Sequence, residues 1–427
     1  MGQLGSQVQK CPCEEERKPL KVRASLFFDG TLNNAGNVAT GIERRDQGEK
    51  NSEDSYGNDY SNIARLERLF YLKTKKNSAE LPVNIALSVY IEGAGTKTGD
   101  SDGPAGYALG MGPTGVHKKV EKGINEAFVR IVELVTGKID NNTKLDIIVD
   151  VFGFSRGAAT ARYAIYKLIN EQALSKKMID KGLQVNSLRI LFAGLFDTVA
   201  SYGFAHYDDT KQLKLDSIAS AEKILHLCAA EEHRVNFRLT NIKSAASHGK
   251  EVFLPGVHSD IGGGYLDKDS ESVTLYYSPD KRKVQKERAW MLSQGWYEEG
   301  ETEITPPRRH FEQDIYYTLV GERDSISHKY SYIPLQIMAR YAGETGIKFD
   351  KKLKTKYNIP KELSSWYKEL NSYVDKGVSW PEDWINRKDS AMKALRHGYL
   401  HFSAIDGSIA HKPEWSGDKR ERVIQDG

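Results

Sequence analysis

Cysteine is scarce in this chain: three in 427 residues, too few for a disulfide framework, so stability is not expected to depend on oxidation. Long hydrophobic runs are missing. With no stretch of about 18 apolar residues, a helical membrane span is excluded. The first residues lack the apolar core of a secretory signal, so Sec export is not expected and the chain reads as made in the cytoplasm. Neither sign of charge is in real excess: 61 Lys and Arg stand against 58 Asp and Glu, a net +3 that gives no argument for a nucleic-acid partner. There are no internal repeats, and no low-complexity tract beyond the N-terminal tail.

What is present belongs to a soluble globular protein, with 39% hydrophobic and 28% charged residues. A mean hydropathy of −0.55 suggests long surface loops. The length suits one large α/β domain with insertions, or two domains of ordinary size. Residues 1–20 read as a flexible tail. Its Cys11-Pro12-Cys13 offers half of a metal site, but Cys228 stands alone and no second cluster exists. No metal or cofactor is expected.

Strand and helix patterns alternate from residue 21 onward. Strands are expected at Lys21–Phe28, Val83–Ile91, Leu145–Phe152, Leu188–Phe196 and Glu251–Leu254. Helices are expected at 61–70, 120–134, 158–174 and 222–234, and a polar loop from Ala35 to Asn58. Alternation of this kind predicts a mostly parallel sheet with helices on both faces, whose sites lie at the carboxyl ends of the strands. Residues 21–265 would form this core. Residues 266–331, with Trp290, Trp296 and Tyr297, read as an inserted cap or membrane-docking region, with ordinary packing an equal alternative. Residues 332–427 read as a helical, aromatic-rich part packed on the core.

Gly153-Phe-Ser-Arg-Gly157 fits the nucleophile elbow G-x-S-x-G between a buried strand and an Ala-rich helix. Gly153 and Gly157 would keep side chains clear of the strained turn at Ser155. A serine nucleophile needs a base and an orienting acid, here in the order Ser, Asp, His. Asp197 follows the fourth strand, although it could merely cap the turn at Thr198 and Ser201. His258 follows the fifth, with His401 as a rival base. The oxyanion hole would use the amide of Arg156 and one from Gly30 or Thr31. Phe28-Asp-Gly-Thr-Leu32 is similar to a haloacid-dehalogenase phosphatase signature, but Phe27 stands where the nucleophilic aspartate would be. Asp29 then reads as a loop organiser bonded to the amides of Thr31 or Asn33. Asp100, Asp102 and Asp260 are loop carboxylates better explained by solvated turns than by a metal. Glu231-Glu-His-Arg234 reads as a charged helix face.

Leu26-Phe-Phe-Asp-Gly-Thr-Leu-Asn-Asn34, Gly93-Ala-Gly-Thr96, Gly153–Ala159, Phe196-Asp-Thr-Val199, Glu231–Arg234 and Pro255–Tyr265 occur in this order. Together they resemble the first family of type VI secretion lipase effectors, over residues 22–265, with weaker matches at Tyr332–Leu335 and Tyr399–His401. The resemblance implies an α/β-hydrolase fold and a phospholipase A1 or A2 activity on membrane phospholipids. It implies Ser155, Asp197 and His258 as the triad, and thereby favours His258 over His401. It further implies delivery to the periplasm of rival cells, a secretion spike or carrier, and an immunity protein. The alternatives are a cytosolic carboxylesterase of the same fold and a catalytically silent adaptor.

Overall fold

The structure, a computed structural model, describes residues 18–49, 54–70, 84–100, 115–140, 142–200, 210–310, 314–377, 380–406 and 411–427. The Cys11-Pro12-Cys13 tail, Asp102 and Ser201 lie outside the described residues.

Six strands carry the architecture: β1 (Leu20–Phe28), β2 (Ile85–Ile91), β3 (Lys144–Phe154), β4 (Gln184–Phe196), β5 (Ala221–Ala229) and, after the two-residue β6 (Leu239–Thr240), β7 (Gly249–Leu254). They form one sheet in the order β2-β1-β3-β4-β5-β7, and every pairing is parallel. The expected α/β fold with a mostly parallel sheet is what the chain adopts.

The strands are apolar on both sides because both sides are covered. Val22, Ala24, Leu26 and Phe28 of β1 join Leu145, Ile147, Val149 and Val151 of β3 on one face. There they meet α3 (Val116–Val135) and α4 (Arg156–Ile169), whose small Ala158, Ala161 and Ala164 allow close approach. On the opposite face Phe27 stacks on Phe152, with ring centroids 4.6 Å apart. That face packs against Ile63 and Leu66 of α2 (Asn62–Arg68) and Ile333, Ile337 and Met338 of α8 (Tyr332–Glu344).

Four expectations are corrected. The stretch from Ala35 to Asn58 is not all loop, since α1 spans Ala35–Asp46. Its N-cap is Asn34, whose side chain accepts from the amides of Gly36 and Asn37. Periodicity missed this helix because only Asn37, Val38 and Gly41 are buried along it. The span 222–234 is not helical: β5 occupies Ala221–Ala229, a central strand buried on both faces and therefore without alternation. The strand before His258 is accordingly the sixth of the sheet. The helix expected from 158 to 174 breaks at Gln172, where φ is 54°, and resumes as α5 (Ala173–Asp180).

Beyond the sheet, α6 (His258–Gly262) is followed by β8 (Asp269–Ser278), α7 (Lys281–Gln294), β9 (Thr302–His310) and β10 (Asp314–Ile326). The three strands form an antiparallel sheet in the order β8-β10-β9. Trp296 and Tyr297 are each only 2% exposed, and Trp296 packs edge-on against Phe402 at 5.2 Å. These two rings are core, not a free aromatic face. No helix among the described residues is long and apolar enough to cross a membrane. The chain finishes with the short strands β11 (Trp415–Ser416), β12 (Lys419–Arg420) and β13 (Ile424–Gln425), and β13 pairs with β6.

One buried ion pair ties α8 to the sheet. Arg23 on β1 donates to both Asp150 oxygens on β3, at 2.7 and 2.8 Å, and to the carbonyl of Thr345 at the end of α8. Ser25 donates a further bond to Asp150 at 2.8 Å. Asp150→Ala would strand a buried guanidinium, so we expect a loss of about 3–5 kcal/mol of stability. Urea unfolding of the variant beside the wild type measures it, and a loss under about 1 kcal/mol would contradict the pair's role.

Candidate active site

The chain leaves β3 at Phe154 and enters α4 at Arg156, so Ser155 makes the whole turn. Its φ of 58° and ψ of −129° are costly for a residue with a side chain, about 1–3 kcal/mol. Its neighbours hold it there. The Ser155 N–H donates to the Phe196 carbonyl at 3.0 Å, and its own carbonyl accepts from Ala158 at 3.0 Å and Val199 at 3.3 Å. Both glycines of the motif are sterically required. A Cβ on Gly153 would lie 2.4 Å from Ala158 Cα, and one on Gly157 would lie 2.3 Å from the carbonyl oxygens of Phe28 and Asp29.

Asp197 stands at the end of β4, beside this turn, because Phe154 and Phe196 are register partners. It too has a positive φ, 44°. Its carboxylate is fully buried and does not cap the Thr198 turn. Oδ1 accepts from the Ala229 amide at 2.8 Å, and Oδ2 faces His258 Nδ1 at 2.5 Å. Arg422, from the far end of the chain, donates to Oδ1 at 2.6 Å and Oδ2 at 2.8 Å. Burial alone would raise the acid's pKa, but the Arg422 guanidinium and the hydrogen bond with His258 outweigh it and hold Asp197 well below the usual carboxylate range.

The Thr198 amide instead donates to His226 Nε2 at 3.1 Å, which leaves Nδ1 of that ring to bond Glu251 at 2.9 Å. His226, Cys228 and Glu251 are the one trio of possible metal ligands found among the described residues. Both nitrogens of His226 are already committed, so the trio reads as a brace for the Asp197-Thr198 turn.

His258 opens α6 just after β7, and its backbone N–H donates to Glu232 at 3.3 Å. Phe154 lies against its ring at 4.5 Å and Phe237 meets it edge-on at 4.9 Å. With Nδ1 on Asp197, the imidazole presents Nε2 as its acceptor. Burial lowers the His258 pKa, although Asp197 pulls the other way. His401 sits elsewhere. Its Nδ1 bonds Asp260 at 2.8 Å and its ring stacks on Tyr265, so it is not the histidine on Asp197.

Arg156 is the first residue of α4, where helix amides favour negative charge. The two candidates in the β1 loop differ. The Gly30 amide is taken, donating to the carboxylate of Asp29 at 2.8 Å, which leaves Thr31 as that loop's candidate donor. Asp29 does organise the loop, but through Gly30 and the hydroxyl of Tyr90 at 2.6 Å rather than through Thr31 or Asn33. Burial pushes its pKa up to about 6.

Glu231-Glu-His-Arg234 is not a helix face. It is a loop after β5 in which all four residues are buried. Glu232 accepts from Arg234 and Ser403 as well as His258. Burial opposes its charge, but Arg234 prevails and brings its pKa to about 2. Glu231 binds the buried Arg396 at 2.7 Å. The motif stands out in the sequence, but its buried setting does not. Arg422 escaped altogether, since nothing local marks an arginine that reaches back 225 residues.

Comparison with known proteins adds to this geometry. Residues 169–294 match the model of the catalytic domain of Tle1-like type VI secretion phospholipase effectors. The matched stretch carries Asp197 and His258, while Ser155 lies before it, at the other end of α4. Among solved structures, the Tle1 effector bound to the VgrG spike of the type 6 secretion system aligns over 98% of both chains, with a TM-score of 0.68 and 22% identity. That likeness is one of fold. An uncharacterized protein from Pseudomonas aeruginosa aligns over 87% of this chain and 53% of its own, with a TM-score of 0.44 and 18% identity. No curated protein matches the chain.

The elbow's tightness is directly testable. Gly157→Ala sets a methyl against two rigid carbonyls, and we expect it to cost at least about 1–3 kcal/mol of stability. Thermal unfolding checks this, and an unchanged midpoint would contradict the close approach.

Proposed function

We propose that the chain is a serine carboxylic-ester hydrolase of phospholipase A type, with Ser155 as nucleophile, His258 as general base and Asp197 as orienting acid. The observation that carries this reading is the 2.5 Å contact between Asp197 and His258 Nδ1, beside a serine held in a strained strand-to-helix turn. The match of residues 169–294 to a phospholipase catalytic domain supports an ester of a lipid as the substrate.

In this mechanism His258 Nε2 takes the Ser155 proton as the hydroxyl oxygen attacks the ester carbonyl. The oxyanion is met by the amides of Arg156 and Thr31 at the α4 N-terminus and the β1 loop. His258, now an imidazolium facing Asp197, returns the proton to the leaving alcohol. Water, deprotonated by the same ring, then releases the fatty acid and restores Ser155.

The relatives' biology suggests the setting. The family matched is that of type VI secretion effectors, and the Tle1 structure includes its VgrG spike. We propose that this chain likewise rides a secretion spike into the periplasm of target cells, and that the producer holds an immunity protein against it. A second reading is a soluble-substrate carboxylesterase, favoured by the burial of Trp296 and Tyr297, which takes those rings away from any membrane contact.

The test is fatty-acid release from phosphatidylethanolamine and phosphatidylglycerol vesicles by wild type and Ser155→Ala. We expect strong release by the wild type and a loss of about a thousandfold or more in the variant. Equal activity of the two would refute Ser155 as nucleophile. Wild-type hydrolysis of soluble esters with no action on vesicles would hand the function to the carboxylesterase reading.

A further inference from the structure

The mechanism above uses three side chains and gives no part to the buried cation that bonds the orienting acid. Arg422 lies between β12 and β13, in a segment that wraps the loop bordering His258. Backbone bonds fix that segment: Val235 donates to Lys412, Glu414 to His233, Leu239 to Val423 and Asn241 to Gln425, all between 2.7 and 3.0 Å. From there the guanidinium forks onto both oxygens of Asp197. Its remaining donors go to the carbonyls of Ala229 at 2.8 Å and Phe237 at 3.0 and 3.1 Å. Phe237 is itself the ring set edge-on against His258.

We infer that Arg422 is a positioning residue for the ester hydrolysis, fixing the rotation of the Asp197 carboxylate and moderating its pull on His258. This rests on the triad reading given above. A fork of two N–H donors matches a carboxylate in one plane, so it sets which lone pair Oδ2 presents to Nδ1. It also places a full positive charge behind the acid. An imidazolium at His258 therefore meets an anion already half-neutralised, and the ring stays neutral to lower pH than Asp197 alone would allow.

The other charged groups around His258 are Glu232 and Arg234 from the loop after β5, and Asp260 on α6 itself. Glu232 and Arg234 are paired with each other, and Asp260 is turned to His401 and the Val257 amide. Of these groups, Arg422 is the one bonded to the Asp197 carboxylate.

The experiment measures kcat and kcat/KM on a soluble nitrophenyl ester from pH 4.5 to 9 for wild type, Arg422→Gln and Arg422→Lys, with Ser155→Ala as control. Far-UV circular dichroism confirms folding. Glutamine removes charge and fork together. We expect kcat to fall about 10- to 100-fold and the acid limb of kcat/KM to move up by roughly 0.5–1 pH unit. Lysine keeps the charge but not the fork, so kcat should fall while the acid limb stays at the wild-type pH. A folded glutamine variant with an unmoved limb would overturn the proposal, as would a lysine variant with wild-type kcat. If glutamine prevents folding, the lysine variant decides on kcat and limb together. Full activity in Ser155→Ala would instead strike the triad reading, an outcome separate from any behaviour of Arg422.

Discussion

A buried carboxylate must be answered from every side, and Asp197 sets that demand at the centre of this molecule. An unpaired anion there would cost several kcal/mol or would simply take up a proton. Four separate parts of the chain meet the demand. The Ala229 amide comes from the end of β5, His258 from α6, Arg422 from residues 411–427, and the backbone that presents Asp197 from β4. None of these can shift without leaving a charge or a donor exposed to an apolar interior. The need to satisfy one acid therefore fixes the positions of elements that are remote in sequence.

The sheet supplies the frame for that convergence. Parallel strands deliver their carboxyl ends to one edge, so the neighbouring β3 and β4 set Ser155 beside Asp197, and β7, one strand beyond β5, leads to the His258 that bonds Asp197. Small residues then let α4 come down onto β1 and β3, where a methyl at Gly153 or Gly157 would meet backbone. Around the site polar groups are paired rather than solvated: Glu232 with Arg234, Glu231 with Arg396, and Asp260 hydrogen-bonded to His401. Such pairing makes little contribution to stability by itself, but it fixes orientation. Orientation is what a proton relay requires.

The amino-acid sequence made the sheet and the elbow legible because both leave local marks. Continuous apolar runs announce β1, β3 and β4, and the two glycines flanking Ser155 announce the turn. Strand β5 reads as a helix in the sequence because a strand buried on both faces has no period of two, and the charged Glu231–Arg234 beside it suggests a solvent-facing surface. The helix Ala35–Asp46 was hidden by its polarity. Trp296 and Tyr297 suggested an interface by type, yet packing against Phe402 and the bond from Tyr297 to Glu271 hold them inside. Arg422 shows the limit most clearly. Its role comes only from the path of the chain after residue 411, and no spacing or motif encodes that path.

Activation of Ser155 by the His258–Asp197 pair is the central proposal. The most direct measurement is reaction of the intact protein with a fluorophosphonate, followed by mass-spectrometric mapping of the modified peptide. We expect a single adduct, on Ser155 in the peptide spanning Gly153–Gly157. A protein that hydrolyses esters yet carries the adduct on another serine, or carries none, would contradict it.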